Sequence, residues 1–314
     1  MMKLIGAFLQ LIRSTNLFFI ALTQILYYAF IFSPLNGSSP YSIFIDVDFL
    51  FLMTASVCIA AAGYVINDYF DVQIDRTNKP EKVIVDTVIK RRWAIVWHLL
   101  LSGIGLLLTA VVSYNKQKWY LLLFNIISVL LLWLYSTTFK KKLLSGNWII
   151  STLTAWVILV MYLYLEKGYN NQYIWFSDEK VWDAQKFFKL TIVYSGFAFV
   201  MTLIREAVKD MEDLPGDAQF GCATMPVRWG VPVSKMYTGV WLIVTIASLV
   251  LLEIYAYQAG RLLLALYCNF LLVLPLLFCL KWLYRAQLTA DYHYISNWLK
   301  LVMLAGILSM IFFA

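Results

Sequence analysis

The sequence predicts an all-α integral membrane protein, built as nine transmembrane helices in one bundle. Of its 314 residues, 62% are hydrophobic and only 14% are charged, whereas a soluble domain usually carries about 25% charged residues. The apolar residues are grouped into runs of about 20, the length that an α-helix needs to cross a bilayer. This composition excludes a soluble enzyme, a disordered chain and a disulfide-rich scaffold, and it fits a single membrane domain over residues 1–314.

Nine apolar runs follow one another along the chain. Each is predicted to be a helix rather than a strand, because a helix pairs its own backbone amides and carbonyls within the lipid. No small-residue cleavage site follows the first run, so it is predicted to remain as the first span. The predicted spans cover residues 17–33, 50–66, 93–113, 119–138, 148–165, 188–204, 237–257, 262–283 and 298–314.

The charged residues predict the orientation of the bundle. Lysines and arginines are concentrated in the loops on the side of the N-terminus, which the positive-inside rule assigns to the cytoplasm. The net charge of +7 is therefore attributed to cytoplasmic loops, and no nucleic-acid partner is predicted. The four cysteines form no CxxC pair, so neither a disulfide framework nor a zinc site is expected. We predict a multi-pass protein of the cell (inner) membrane with a cytoplasmic N-terminus.

An acidic motif is placed where the second predicted span ends. At about 100° per residue, Asp71 and Asp75 lie within about 60° of Asp68 on a helix, and Asn67 lies beside Asp71. Carboxylates on one face repel each other, and the negative end of the helix dipole adds to this repulsion, so a cation is needed. Because the ligand atoms are all oxygens, a hard cation is favoured, and Mg²⁺ would keep open positions for phosphate oxygens.

A second acidic motif follows the sixth predicted span. The same helical arithmetic places Glu206, Asp210 and Asp213 within about 60° of one another, and it places Glu212 on a different face. Both motifs stand at the ends of even-numbered helices, which brings them to the same side of the membrane. Together they predict a site for a magnesium diphosphate in a cavity at the cytoplasmic face, with the metal as a Lewis acid.

The residues around the second motif complete this prediction. Pro215-Gly216 is expected to end the helix, so Asp217 should reach the site from a turn. Arg205 and Lys209 flank the acidic stripe, where they could bind phosphate directly.

At these residues the sequence resembles the UbiA superfamily of intramembrane prenyltransferases. The first family signature, NDxxDxxxD after the second helix, is matched at residues 67–75, and the second, of the DxxxD type after the sixth helix, is matched at residues 213–217 with Asp210 just upstream. Further matches are Arg13 and Asn16 at the start of helix 1, Tyr135, Lys140 and Lys141 after helix 4, and Gly146-Asn147 at the start of helix 5.

Within the family, residues 205–217 and Phe220-Gly221 look most like the archaeal-type branch, which joins geranylgeranyl diphosphate to geranylgeranylglyceryl phosphate. The chain departs from the family pattern at one place. After Asn78-Lys79-Pro80 the family usually continues with Arg-Pro, whereas this chain has Lys82-Val83. Lysine keeps the charge but lacks the bidentate fork of arginine, and this difference bears on the acceptor more than on the reaction class.

The resemblance implies Mg²⁺-dependent transfer of a polyprenyl group, expected to be geranylgeranyl, from its diphosphate to a lipophilic acceptor, expected to be a prenylglyceryl phosphate in ether-lipid synthesis. Ionisation of the donor C1–O bond would give an allylic cation that aromatic faces stabilise. The residues implied as catalytic are Asp71, Asp75, Asp213 and Asp217. Those implied as metal ligands are Asn67, Asp68, Asp71, Asp75, Asp210, Asp213 and Asp217. Those expected to bind substrate are Arg13, Asn16, Lys79, Lys82, Tyr135, Lys140, Arg205 and Lys209.

Other functions fit parts of the sequence. The main alternative is an aromatic prenyltransferase that makes a quinone precursor from a hydroxybenzoate or a naphthoate. A CDP-alcohol-type phosphotransferase would need an Asp-Gly followed by Ala-Arg, which the chain lacks. A cation transporter would place its carboxylates near the midplane of the membrane, whereas these acids cluster at one face. A non-catalytic relative is disfavoured by the intact acidic motifs. His98 is predicted to pack in the core, and His293 to be a surface residue.

Overall fold

The computed structural model describes residues 2–166 and 182–313. Among these residues, nine helices are long and apolar enough to cross a membrane, which confirms the predicted fold class. In chain order these nine spans are Ser14–Leu35, Val47–Asn78, Arg91–Lys116, Trp119–Thr137, Ser145–Leu165, Ala184–Glu212, Met225–Gln258, Leu262–Arg285 and Thr289–Phe313. Shorter helical segments before and between these spans are Met2–Leu11, Pro40–Phe44, Pro80–Lys82, Phe139–Lys141 and Leu214–Gln219.

Two spans extend well beyond their predicted ends. The second continues from residue 66 to Asn78, and the sixth continues from residue 204 to Glu212. The apolar runs stop earlier because charged residues begin there, but the helices continue because several of those charged side chains pair with charges of opposite sign on neighbouring elements. The predicted ends of these two spans, at residues 66 and 204, are therefore too early.

Two apolar clusters hold the spans together. One joins the first, second, fifth and sixth spans around Tyr27, Phe49 and Phe187, each fully buried. The other joins the last four spans around residues such as Leu242 and Leu276. Many large apolar side chains on the outer surface are exposed. An apolar surface of that extent would be an aggregation hazard in water, whereas it is the normal outer surface of a bundle in lipid.

The seventh span is interrupted near its start. Gly230 has φ 79°, a left-handed conformation that glycine adopts without a steric penalty. Pro232 follows inside the same helix, where its ring cannot donate a backbone hydrogen bond and clashes with the preceding turn. The helix is therefore bent at this point.

Candidate active site

The first motif lies on the cavity-facing side of the second span. Asn67, Asp68, Asp71 and Asp75 all line one large cavity in the bundle. Asp71 is only 2% exposed, and its carboxylate is paired with the ammonium of Lys140, which comes from the segment after the fourth span. The amide oxygen of Asn67 is buried and has no hydrogen-bond partner.

Arg13 approaches the same motif from a break before the first span. It has φ 51°, which separates the helix Met2–Leu11 from the span that begins at Ser14. Its Nη2 lies 2.8 Å from Oδ1 of Asp68, and its guanidinium stands over the ring of Tyr64, 4.9 Å from the centroid. The break in the helix thus allows a cation to face the acidic stripe.

The second motif is held by basic and amide side chains. Glu206 pairs with Lys209 at 2.9 Å and with Arg205 at 3.3 Å. Asp210 accepts a hydrogen bond from Nδ2 of Asn147 at 2.8 Å, so the fifth span positions this carboxylate. Each acid of this stripe therefore has a fixed donor within hydrogen-bond or ion-pair distance.

Asp217 was expected to reach the site from a turn, but it lies in a short helix. The sixth span ends at Glu212, and Asp217 lies in the next short helix, Leu214–Gln219. Pro215 stands in the first turn of that helix, where a missing backbone N–H costs little. Pro215 therefore starts a new helix rather than only ending the old one, and the hydroxyl of Thr224 donates to Asp217 at 3.1 Å.

Burial and neighbouring charges together set the protonation of Asp217 and Lys140, two groups outside the spans. It raises the pKa of Asp217 to about 6, and the nearby carboxylates act in the same direction, while the charge of Lys140 opposes it. Burial alone would lower the pKa of Lys140, but the charge of Asp71 outweighs that effect and raises it well above the usual lysine value. The ammonium of Lys140 is therefore held in its charged form between acids from both motifs.

The two motifs are tied to each other directly. Nδ2 of Asn78 donates to the backbone oxygen of Asp213 at 3.1 Å, and Oδ1 of the same side chain accepts from the backbone N–H of Gly216 at 2.8 Å. Lys79 pairs with Asp213 at 2.8 Å and with Glu212 at 2.9 Å. A Cβ at Gly216 would stand 2.6 Å from the Asn78 amide, so this close approach requires glycine.

The main cavity has a volume of about 620 Å³ and is polar at one end and apolar at the other. Besides the first motif, its polar end is lined by Arg13, Asn16, Lys79, Tyr135, Lys140, Arg205, Glu206, Lys209, Glu212 and Asp213. Its other end is lined by side chains such as Ile20, Trp156, Ile158, Met303, Ile307 and Met310. The volume and the apolar lining are those of a site for a long apolar ligand with a charged head.

A small adjoining cavity holds the remaining acids. Asp210 and Asp217 line it together with Asn147 and Thr224. The residues that line both cavities, and so form the wall between them, are Asp75, Tyr135, Lys140, Glu206, Lys209 and Asp213. Asp210 and Asp217 therefore stand behind the acids that face the main cavity. Of the other predicted site residues, Lys82 lies in the short helix Pro80–Lys82, and its side chain is outside the described part of the structure.

The donor set fits a magnesium ion. Within residues 2–166 and 182–313, no three His, Cys, Asp or Glu side chains stand close enough to hold a metal ion as they are oriented. Instead, the ammonium groups of Lys79 and Lys140 supply the positive charge between the carboxylates. The ligands available are oxygens of carboxylates and of one unpartnered amide, that of Asn67, and this is the chemistry that Mg²⁺ prefers.

Two residues of the cavity wall, Glu212 and His293, were not among the predicted site residues. Glu212 was placed on another face, but it is the last residue of its helix, and its side chain reaches both Lys79 and Nδ1 of His293, at 3.0 Å. His293 lines the cavity with 49% of its side chain exposed, whereas a surface position was expected. His98 is packed in the core as predicted: it is 3% exposed, and its Nδ1 lies 3.0 Å from the backbone oxygen of Ala62.

Comparison with known proteins relates the whole bundle to one family. The UbiA prenyltransferase family model matches residues 26–308. A digeranylgeranylglyceryl phosphate synthase from Hyperthermus butylicus is 28% identical over 259 residues, which is 82% of this chain and 78% of that protein.

Solved structures share the fold. A structure of a digeranylgeranylglyceryl phosphate synthase superposes with a TM-score of 0.63 at 24% identity, covering 98% of this chain and 99% of that one. A UbiA homologue from Archaeoglobus fulgidus, bound to GPP and Mg²⁺, has a TM-score of 0.59 at 14% identity and covers 97% and 99% of the two chains. The family match extends over most of the chain and includes both acidic motifs, so this multi-pass membrane protein belongs to the UbiA prenyltransferase family.

Proposed function

We propose that this prenyltransferase uses Mg²⁺ to transfer a geranylgeranyl group from its diphosphate to a prenylglyceryl phosphate, in the synthesis of ether lipids. Relatives named as digeranylgeranylglyceryl phosphate synthases support this choice of donor and acceptor, and a homologue bound to GPP and Mg²⁺ supports the choice of metal. The observation that carries the proposal is the cavity itself, in which two facing acidic motifs lead directly into an apolar channel.

The two motifs would share the work of binding the diphosphate. Asp68, Asp71 and Asp75 on one side and Asp213 on the other supply carboxylate oxygens for a metal, with Asn67 as a neutral ligand and Asp210 and Asp217 behind them. Bound Mg²⁺ would neutralise the diphosphate and make it a better leaving group.

Basic residues of the same wall would bind the phosphate oxygens. Lys79, Lys140 and Lys209 already face the acidic motifs, and each can exchange a carboxylate partner for a phosphate oxygen. This exchange costs little because the ammonium keeps an anionic partner throughout.

The apolar end of the cavity would hold the prenyl chain and keep water away from C1. In the transfer, the hydroxyl oxygen of the acceptor forms a bond to C1 while the bond from C1 to the diphosphate oxygen breaks. The diphosphate leaves with the bonding electrons, and the hydroxyl proton passes to an oxygen of the departing diphosphate. Aromatic side chains of the cavity wall, such as Tyr135, stabilise positive charge that develops on the allylic carbon.

A defined assay tests this function. Purified protein in nanodiscs is given Mg²⁺, labelled geranylgeranyl diphosphate and one of three acceptors: a prenylglyceryl phosphate, a hydroxybenzoate or a naphthoate. We expect labelled product with the glyceryl phosphate, and loss of product with a chelator or with Asp71→Asn or Asp213→Asn. Asp86→Asn is the matched control, because Asp86 pairs with Arg76 outside the cavity and its left-handed φ suits asparagine.

Two results would contradict the proposal. Product with the ring acceptors alone would reassign the protein to the aromatic branch of the family. Full activity in the Asp71 and Asp213 variants, or in the presence of the chelator, would show that the acidic motifs do not bind the reacting diphosphate through a metal.

A further inference from the structure

Lys300 stands inside the membrane-spanning part of the ninth span. It is about 16 Å along the helix axis from Thr289, at about 1.5 Å per residue. Its side chain lines the main cavity, and its ammonium lies 5.4 Å from the centroid of the Phe19 ring on the first span. A lysine at this depth is costly unless it has a partner, so its position requires an explanation.

No described carboxylate lies within ion-pair distance of Lys300, in contrast to Lys79, Lys140 and Lys209. Arg205 and Arg13 line the same cavity and act on its ammonium as positive charges. Three cations around one cavity repel each other in a medium of low dielectric constant, although Asp68 partly offsets the charge of Arg13 and Glu206 partly offsets that of Arg205. An anion that binds among them would remove this repulsion and would be bound strongly for the same reason.

Arg205 has a hydrogen-bond donor that no described residue uses. Its Nη1 lies 3.3 Å from Glu206, a long contact for a charged pair, and its buried Nε has no hydrogen-bond partner. The three N–H groups of the Lys300 ammonium are likewise without an acceptor among the described hydrogen bonds. A phosphate monoester carries about two negative charges and three acceptor oxygens, which match these free donors.

Other residues of the ninth span line the cavity on both sides of Lys300. Ser296, Asn297 and Lys300 line the cavity at helical spacing, and Met303, Leu304 and Ile307 follow on the same face. One helix face therefore offers hydroxyl, amide and ammonium groups followed by an apolar surface. A lipid phosphate likewise has a polar head, formed by its phosphate and glycerol, followed by a hydrocarbon chain.

On these grounds we infer that Lys300, with Arg205 and Arg13, binds the phosphate of the acceptor lipid. The inference rests on the proposed function and adds a second anion subsite to the cavity. The donor diphosphate is the other phosphate that could bind there, but it arrives with a metal that needs carboxylate ligands, and Lys300 contacts none. Binding the acceptor phosphate at Lys300 leaves Asp71, Asp75 and Asp213 for the donor, and Arg13 contacts both subsites through its pair with Asp68.

Kinetics with three variants test this subsite. Lys300→Met keeps the length of the side chain and removes its charge, Lys300→Arg keeps the charge, and Lys281→Met removes a lysine that is exposed on the eighth span. We expect Lys300→Met to raise the KM for the prenylglyceryl phosphate at least about tenfold, equivalent to about 1.4 kcal/mol. The KM for the donor and kcat should change much less, Lys300→Arg should recover most of the affinity, and Lys281→Met should behave as the wild type.

A binding measurement separates failure of the subsite from failure of the proposed function. Prenylglyceryl phosphate, and the same lipid without its phosphate, are titrated into the protein without Mg²⁺ or donor. Preferential binding of the phosphorylated lipid that is lost in Lys300→Met supports the subsite, even if the wild type transfers no prenyl group to that lipid. Equal binding to wild type and Lys300→Met, or a rise in donor KM as large as the rise in acceptor KM, overturns it.

A purely structural role for Lys300 gives a different result. If the lysine only stabilised the bundle, Lys300→Met would lower the Tm of the ligand-free protein and affect both substrates alike. The subsite instead predicts that the ligand-free Tm does not fall, because removing one of three mutually repelling cations relieves strain in the empty cavity. A lower Tm combined with an unchanged acceptor KM would also overturn the inference.

Discussion

Removing the ammonium of Lys140 should destabilise the ligand-free protein. Its partner Asp71 is 2% exposed, whereas the Lys140 side chain is 29% exposed towards the cavity. Breaking a buried ion pair by removing one partner costs about 3–5 kcal/mol, because it leaves an uncompensated charge. Since the ammonium is partly hydrated in the folded protein, we expect a loss of about 2–4 kcal/mol for Lys140→Met.

The assay is thermal unfolding in detergent. A loss of this size corresponds to a fall in Tm of roughly 5–10 °C for a chain of this order of size. Lys142→Met is the matched control, because Lys142 is exposed and contacts only the face of the Phe139 ring at 5.2 Å. This control should change Tm by no more than about 2 °C, as most exposed substitutions do.

A double variant identifies the cause. In Lys140→Met with Asp71→Asn, the buried charge is gone, so most of the lost stability should return. Mg²⁺ with a non-reactive donor analogue should also restore much of the Tm of Lys140→Met, because a divalent cation can take the place of the ammonium beside Asp71. If the two single losses simply add in the double variant, Lys140 and Asp71 are not coupled and the reasoning is refuted.

Three further predictions concern the second motif and the far end of the cavity. Gly216→Ala should lower kcat/KM at least about tenfold by pushing the Asn78 amide away, and a normal rate would show that the contact between the motifs is dispensable. The pKa of Asp217 is about 6 in the folded protein, above its unfolded value, so the folded state holds this proton more tightly. The stability that Asp217 contributes should therefore fall as pH rises towards 6, so the metal-free Tm of the wild type relative to that of Asp217→Asn should fall across this window, and a relative Tm that rises there in thermal unfolding would contradict the assignment. Ile307→Trp should narrow the apolar end of the cavity and lower kcat/KM for geranylgeranyl diphosphate much more than for dimethylallyl diphosphate. Equal losses for the two donors would show that the prenyl chain does not lie at this end of the cavity.

Helical periodicity predicted the parts of the site that lie on one regular helix. The spacing of Asp68, Asp71 and Asp75 requires a common face, and all three line the cavity because the second span continues without a break to Asn78. Glu212 was misplaced because the same arithmetic fails at a helix end, where a side chain is free to turn back towards Lys79. Periodicity is a reliable guide only while the helix continues.

Partners from distant parts of the chain could not be read from spacing. Asn147 reaches Asp210 from the fifth span, and Lys140 reaches Asp71 from the segment after the fourth. Such contacts depend on how the spans pack. The apolar runs identify the spans, but they carry little information about which spans lie next to each other in the bundle. Lys300 falls at the start of the ninth predicted span, residues 298–314, and nothing in its sequence neighbours indicates that it faces a cavity.

The single amide of Asn78 has a consequence for how the enzyme works. Its two hydrogen bonds run in opposite directions from one planar group, to the backbone at Asp213 and from the backbone at Gly216. Sliding or tilting of one half of the bundle against the other would break both bonds at once. The spacing between the two motifs is thus set when the chain folds, and we expect the proposed diphosphate site to assemble without a hinge closure.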